Sequence, residues 1–192
     1  MRYGHRRLFE ALSFEVRPGE PLAILGANGS GKSTLLRILA GVLDPAAGEA
    51  RLEIGGAGLS GDALTRHIGF VAPALRFYEA FTARENLTFL ARARRLAPPE
   101  AAIARVLERV GLADRADEPV GTFSTGLGQR LRLASALLHD PPVLLLDEPG
   151  ATLDAAGRQL VADVVGLADR ILVVATNDAA EAERCPRRVT LL

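Results

Sequence analysis

The chain has 192 residues, 48% of them hydrophobic, with 23 basic and 23 acidic side chains. That length suits one domain with a substantial core, and the balanced charge sets up no global field favouring nucleic acid or a membrane surface. No apolar run approaches the ~18 residues of a membrane span, no charged-then-apolar leader opens the chain, and seven Phe and two Tyr do not interleave with basic residues as a base-stacking platform would.

Taken in chain order, SFEV (13–16) and PLAIL (21–25) read as strands separated by the turn Arg17-Pro18-Gly19-Glu20. GANGSGKST follows at once and runs into STLLRILAGVL, an apolar-periodic helix reaching Gly41. EARLEI (49–54) predicts a strand, GGAGLSGD (55–62) a Gly-rich loop, and HIGFVA (67–72) a buried strand that Pro73 stops. From about 79 to 139 the pattern is helical: ARENLTFLARARRL, then PPEAAIARVLERVGL with Pro at its start, then STGLGQRLRLASALLHD. After Pro141-Pro142 the strand VLLLD returns, followed by a helix from about 154 to 167, the strand ILVVA and a short final strand RVTLL. The expectation is an α/β core with a mainly parallel sheet, interrupted by an all-helical insertion. Residues 1–75 and 140–192 form the core and 76–139 the insertion.

Three stretches carry chemistry. Gly26 to Ser33 fits G-x-x-x-x-G-K-[ST] between a strand and a helix, the context in which such a loop cradles phosphates. Its backbone N–H groups curl around the anion, Lys32 bridges the β- and γ-phosphates, and Ser33 holds Mg²⁺. Of the 23 basic residues only Lys32 is lysine, and it stands where a compact ammonium is needed. VLLLDEPGATLD (143–154) delivers two carboxylates to a strand end: Asp147 to hold a Mg²⁺-bound water, Glu148 to polarise an attacking water. FSTGLGQR (123–130) opens a helix with Ser124 as N-cap, leaving N–H groups and hydroxyls of Ser124, Thr125 and Gly126 pointing outward. Cys185 has no partner thiol and fits a reducing cytoplasm; His5, His67 and His139 lack metal-ligand spacing.

Over nearly its whole length the chain resembles an ATP-binding cassette (ABC) ATPase, the nucleotide-binding subunit of an ABC transporter. GANGSGKST matches that family's Walker A loop, VLLLDEP its Walker B, FSTGLGQR a divergent LSGGQ signature, and ATLD (151–154) its D-loop. The resemblance implies a P-loop NTPase core with a small antiparallel edge sheet, and ATP with Mg²⁺ as ligands. It implies contacts to ATP from Gly26, Ala27, Asn28, Gly29, Ser30, Gly31, Lys32, Ser33 and Thr34, from Ser124, Thr125 and Gly126 across a dimer, and from Tyr3 stacked on adenine. A second copy or another ATPase subunit would complete the dimer. A separate membrane permease would dock on the helical insertion and the 73–81 loop, placing the chain on the cytoplasmic face of the membrane.

Three departures stand out. Pro73 occupies the place of the family's glutamine, and proline has no polar side-chain atom to offer Mg²⁺ or water. Asn177 stands where the family has a histidine that touches the γ-phosphate. If its amide replaces a charge-assisted contact, a loss of ~2 kcal/mol slows turnover on the order of thirtyfold. Only Met1 and Arg2 precede Tyr3, so either the true N-terminus is longer or the edge sheet is short. The expectation is a weakened but working ATPase, leaning towards an exporter and loosely resembling the small haem exporters of cytochrome c biogenesis. The alternative is a nucleotide switch or degenerate subunit with little hydrolysis. A soluble ABC ATPase of DNA repair or translation lacks support, since no coiled-coil insertion or tandem duplication is present.

Overall fold

The computed structural model describes residues 1–3, 6–97 and 99–192, with the backbone alone described at Arg2, Tyr3, Arg6 and Arg7. Five strands form one parallel sheet: β3 (Leu22–Leu25), β6 (Ile68–Val71), β7 (Val143–Asp147), β8 (Ile171–Ala175) and β9 (Arg187–Thr190), in the order β6-β7-β8-β3-β9. The apolar runs of the central strands make sense in this setting. Successive side chains point to opposite faces, so a strand buried on both must be apolar throughout. In β7, Val143 and Leu145 face one core cluster with α1 (Lys32–Leu39). Leu144 and Leu146 face the other, shared with α3 (Ala83–Ala93), α4 (Pro99–Arg109), α5 (Thr125–Leu137) and α6 (Ala155–Val165). The expected α/β fold with a mainly parallel sheet is what the chain adopts.

Local chemistry sets the helix starts. Thr82 and Glu85 form a capping box at α3, the Ser124 side chain accepts from the Leu127 N–H at α5, and Asp154 accepts from Gly157 at α6. Asn86, buried in the first turns of α3, accepts from the Tyr78 N–H and donates to the carbonyls of Tyr78, Phe81 and Thr82. It thereby fixes the loop that leads into the helices.

Three expectations need correction. Residues 13–16 do not form a strand: Leu12, Phe14 and Val16 pack half-buried against the α1-side cluster with Ser13 and Glu15 exposed, yet no ladder partner lies alongside among the described residues. Alternation supplied the buried face but not the neighbour that a strand needs. A cavity of about 850 Å³ lies beside this segment, lined also by Leu35, Ile38, Val143 and Val173. The strand expected over 49–54 shrinks to β4 (Leu52–Ile54), and the Gly-rich 55–62 is not a plain loop. Gly55 and Gly56, both at positive φ, make a two-residue turn into β5 (Ala57–Leu59), so the two strands form an antiparallel hairpin. A second antiparallel pair joins β1 (Arg2–Tyr3) to β2 (Arg6–Arg7). Two further short helices carry no sequence signal. No periodicity marked α2 (Gly61–His67), which buries no residue and so carries no apolar stripe, or α7 (Ala179–Glu183), which is too short to show one.

Candidate active site

The parallel ladder runs past the strand ends and aligns three loops. The Glu148 N–H donates to Ala175 O at 2.8 Å, Thr176 N–H to Ile24 O at 3.1 Å, and Leu191 N–H to Leu25 O at 2.8 Å. The loops after β7, β8 and β3 therefore open on the same edge of the sheet, the usual ligand crevice of such folds. After β3 the chain turns sharply at Gly26 (φ 146°), where a Cβ would sit 2.6 Å from both Leu191 O and Ser30 Oγ. Only glycine fits there. Two turns later α1 begins at Lys32.

Lys32 is the hub. Its ammonium is nearly buried and meets three acceptors: Gly26 O at 2.8 Å, Asn177 Oδ1 at 3.0 Å and Glu148 Oε1 at 3.4 Å. Two of these contacts are hydrogen bonds, to Gly26 and Asn177, and the third is an ion pair with Glu148. Asn177 does more than face it. Its Nδ2 donates to Asn28 Oδ1 at 2.8 Å and its backbone N–H to Glu148 Oε2 at 3.3 Å. One residue thus touches the phosphate-loop tip, the lysine and the carboxylate.

Asp147 lies beneath, 2% exposed, with the Ser33 hydroxyl near its carboxylate and Oδ1 left without a partner. Burial pushes its carboxyl above the usual range despite the nearby Ser33 hydroxyl. Glu148 has φ 48°, a left-handed conformation costly for a residue with a side chain and typical of functional positions. The bond to Ala175 holds it there, and the buried Gln129 of α5 adds more, donating to Pro149 O at 3.0 Å and Glu148 O at 3.4 Å.

Ser124 and Thr125 are exposed at the start of α5, and Gly126 packs under Thr152 O. Among the described residues no hydrogen bond or ion pair joins Ser124, Thr125 or Gly126 to residues 26–34. The structure therefore brings together the phosphate-loop residues, Asp147, Glu148 and Asn177, and leaves the 124–126 group facing outward. Pro73 is exposed beyond β6, near the cleft shared by Ser124, Gln129 and Glu148. The adenine contact expected of Tyr3 depends on a side chain outside the described residues.

A family model described as ABC transporter matches residues 9–151, most of the chain and the whole stretch from the phosphate loop to Glu148. The chain belongs to the ABC transporter ATP-binding family. This ABC domain is 41% identical over 166 residues to the uncharacterized ABC transporter ATP-binding protein YxlF of Bacillus subtilis (strain 168), covering 85% of this chain and 54% of that protein. The chain thus spans about half the length of that curated relative. It is 39% identical over 181 residues to the cytochrome c biogenesis ATP-binding export protein CcmA of Rhizobium meliloti (strain 1021), covering 92% of this chain and 86% of that one. Its fold matches a dimeric ATP-binding cassette in a post-hydrolysis state bound to ADP and Pi, with TM-score 0.84 at 27% identity, over all of this chain and 90% of the other.

Sequence reasoning missed two residues of the ABC domain's site. Gln129 is a polar residue on the buried face of α5, a signal available in the pattern of that helix. Glu181 looks like its exposed neighbour Glu183 in sequence, yet it is buried. Nothing local distinguishes the two.

Proposed function

We propose that this chain is the ATP-binding and ATP-hydrolysing subunit of an ABC transporter, an exporter, which acts as a dimer on a separate permease. One observation carries the reading: Lys32, Ser33, Asp147, Glu148 and Asn177 share one crevice, while Ser124, Thr125 and Gly126 stand outside it. A site split this way is completed by the outward-facing group of a second subunit. Lys32 and the 26–34 backbone bind the phosphates, Glu148 polarises water for attack on the γ-phosphate, Asn177 orients that phosphate, and Tyr3 stacks on adenine. When ATP arrives, its phosphate oxygens replace Asn177 and Glu148 as partners of Lys32.

The residues also fit Mg²⁺. Asp147 Oδ1 is a buried acceptor without a partner, and the Ser33 hydroxyl beside it supplies a second hard oxygen. Bound there, the ion would supply charge neutralisation on the β- and γ-phosphates. Residues 76–139 form the subdomain that carries the signature. Beside it, Tyr78, Phe81 and Phe89 are about half exposed and lie within 5.4–5.6 Å of one another through Tyr78. This cluster supports docking of an apolar permease segment at the 73–81 loop. Among the described residues no helix is long and apolar enough to cross a membrane, and a peripheral place on the cytoplasmic face goes with docking on such a permease. Export rests on the likeness to CcmA, and haem as cargo rests on that relative alone.

A second reading, a switch with little hydrolysis, is favoured by Pro73 and Asn177. Steady-state phosphate release from Mg-ATP at several protein concentrations, beside Glu148→Gln, separates the two. A hydrolytic dimer shows a rate per subunit that rises with concentration and vanishes in Glu148→Gln. ATP binding with no rate above the Glu148→Gln background sinks the hydrolytic reading and leaves the switch.

A further inference from the structure

The site description leaves one buried carboxyl without a role. Glu181, in the first turn of α7, is 8% exposed, and its Oε2 has no hydrogen-bond partner. Burying a carboxyl in this way is unfavourable and calls for a compensating function. Two loops flank it: the Gly150 backbone, in the loop after β7, packs against its Oε1, and the Thr176 hydroxyl, in the loop after β8, lies near enough to favour the charged carboxylate. These are the two loops that carry Glu148 and Asn177. Gly150 is also where the fit is closest: a Cβ there would collide with Glu181 Oε1. The loop itself is under strain at both ends, with Glu148 at φ 48° and Thr152 at φ 77°. Such conformations persist only where the surroundings over-determine them.

We infer that Glu181 is a positioning residue for ATP hydrolysis, a strut that ties the strained 148–152 loop to the Thr176–Asn177 loop and so holds Glu148 and Asn177 in register over the phosphates. It touches no substrate and acts through Gly150 and Thr176. Burial pushes its carboxyl up, against the opposing influence of the nearby Thr176 hydroxyl and Gly150 N–H. The inference rests on the hydrolytic reading for its kinetic test, but its structural half can be tested without turnover.

Two readouts test it on the full chain. In steady-state kinetics, Glu181→Ala lowers kcat about tenfold, changes KM for ATP by less than about threefold, and leaves binding of a fluorescent ATP analogue within the same limits. Glu181→Gln keeps an oxygen to accept from Gly150 and retains kcat within about threefold. Gly150→Ala, which displaces the carboxyl, lowers kcat by itself but adds nothing in the Glu181→Ala background. Equal kcat for wild type and Glu181→Ala, or losses that multiply in the double variant, overturns the strut. In hydrogen exchange, amides of 148–152 speed up in Glu181→Ala and Gly150→Ala while those of β7 and β8 keep their protection. If wild type shows no turnover, the hydrolytic reading fails, and this exchange pattern still decides whether the strut exists. Unchanged exchange in both variants overturns it. Should Glu181→Ala fail to fold, Gly150→Ala and Glu181→Gln carry both measurements.

Discussion

At the scale of single residues, Asn177 shows how far a substitution can be judged from its type. Read alone, an amide in place of an imidazole loses charge and reach. In place, it uses both ends, accepting from Lys32 and donating to Asn28, while its backbone N–H serves Glu148. Asn177→Ala removes the side-chain bonds and keeps the backbone one. We expect kcat for ATP to fall about tenfold, the cost of ~1.4 kcal/mol in the transition state, with smaller change in KM, as read by steady-state phosphate release. Thr152 is a second case. It is exposed, β-branched and at φ 77°, where glycine meets no steric cost. Thr152→Gly should stabilise the chain by about 1 kcal/mol in urea unfolding, with an unchanged slope; a loss of stability would mean that the threonine side chain is held by more than its neighbours here show.

At the scale of elements, the helical insertion depends on a few polar groups at its entrance. Asn86 satisfies four backbone groups of 78–82 from inside α3. Truncating it leaves the Tyr78 N–H without its partner and removes a second donor from the three carbonyls, which keep backbone bonds from Phe81, Val120 and residue 86. Asn86→Ala should cost on the order of 2–3 kcal/mol in urea unfolding and loosen Tyr78 and Phe81, the residues proposed to meet the permease. A cost within 0.5 kcal/mol would show that water replaces the amide without penalty. The same scale explains what sequence patterns revealed and concealed. Helices α3 to α6 are legible because each buries a stripe, and because α3, α5 and α6 start at capping residues while α4 opens on Pro99. The 13–16 segment misled because its alternation reports only which side chains are buried, whereas a strand is defined by a hydrogen-bonded neighbour. The glycines of 55–56 signalled a turn, and they were read as a loop because the strand after them, Ala57-Gly58-Leu59, lacks β-branched residues.

At the scale of the whole molecule, His139 joins the pieces. It sits after α5, with Nε2 3.1 Å from Ile68 O of the sheet and 3.2 Å from Arg94 of the helical layer, whose guanidinium also donates to Thr65 O. Nε2 cannot both donate to the carbonyl and accept from the guanidinium, so one of these contacts goes unmade, and Nδ1 is buried without a partner. Burial, followed by the nearby Arg94 charge, lowers the pKa from 6.5 to about 4. The unfolded chain therefore binds a proton between pH 6.5 and about 4 that the folded chain refuses. Stability is full above pH 6.5 and is lost as pH falls through that window, by on the order of 3 kcal/mol. Asp147 and Glu181, both raised by burial, act in the opposite sense, so the test is a comparison. Urea unfolding at pH 7.5 and 4.5 should show a smaller acid loss for His139→Gln than for wild type; equal losses would assign the pH dependence elsewhere.

Much of the site is legible in the sequence, because its chemistry is local. A phosphate cradle needs glycines, one lysine and one hydroxyl within nine residues, and two carboxylates at a strand end need only the apolar run that delivers them. The parallel core was readable for the same reason, since strands buried on both faces must be apolar throughout. What tertiary structure alone decided is which distant groups meet. Register between β7, β8 and β3 places Glu148 beside Asn177 and Lys32, 145 positions apart in sequence for the last pair. The burial of Glu181 against Gly150, and of Gln129 against Pro149, also depends on how helices pack across the sheet edge. Those contacts join segments with no shared local pattern, and side-chain type carries no information about a neighbour that only folding supplies.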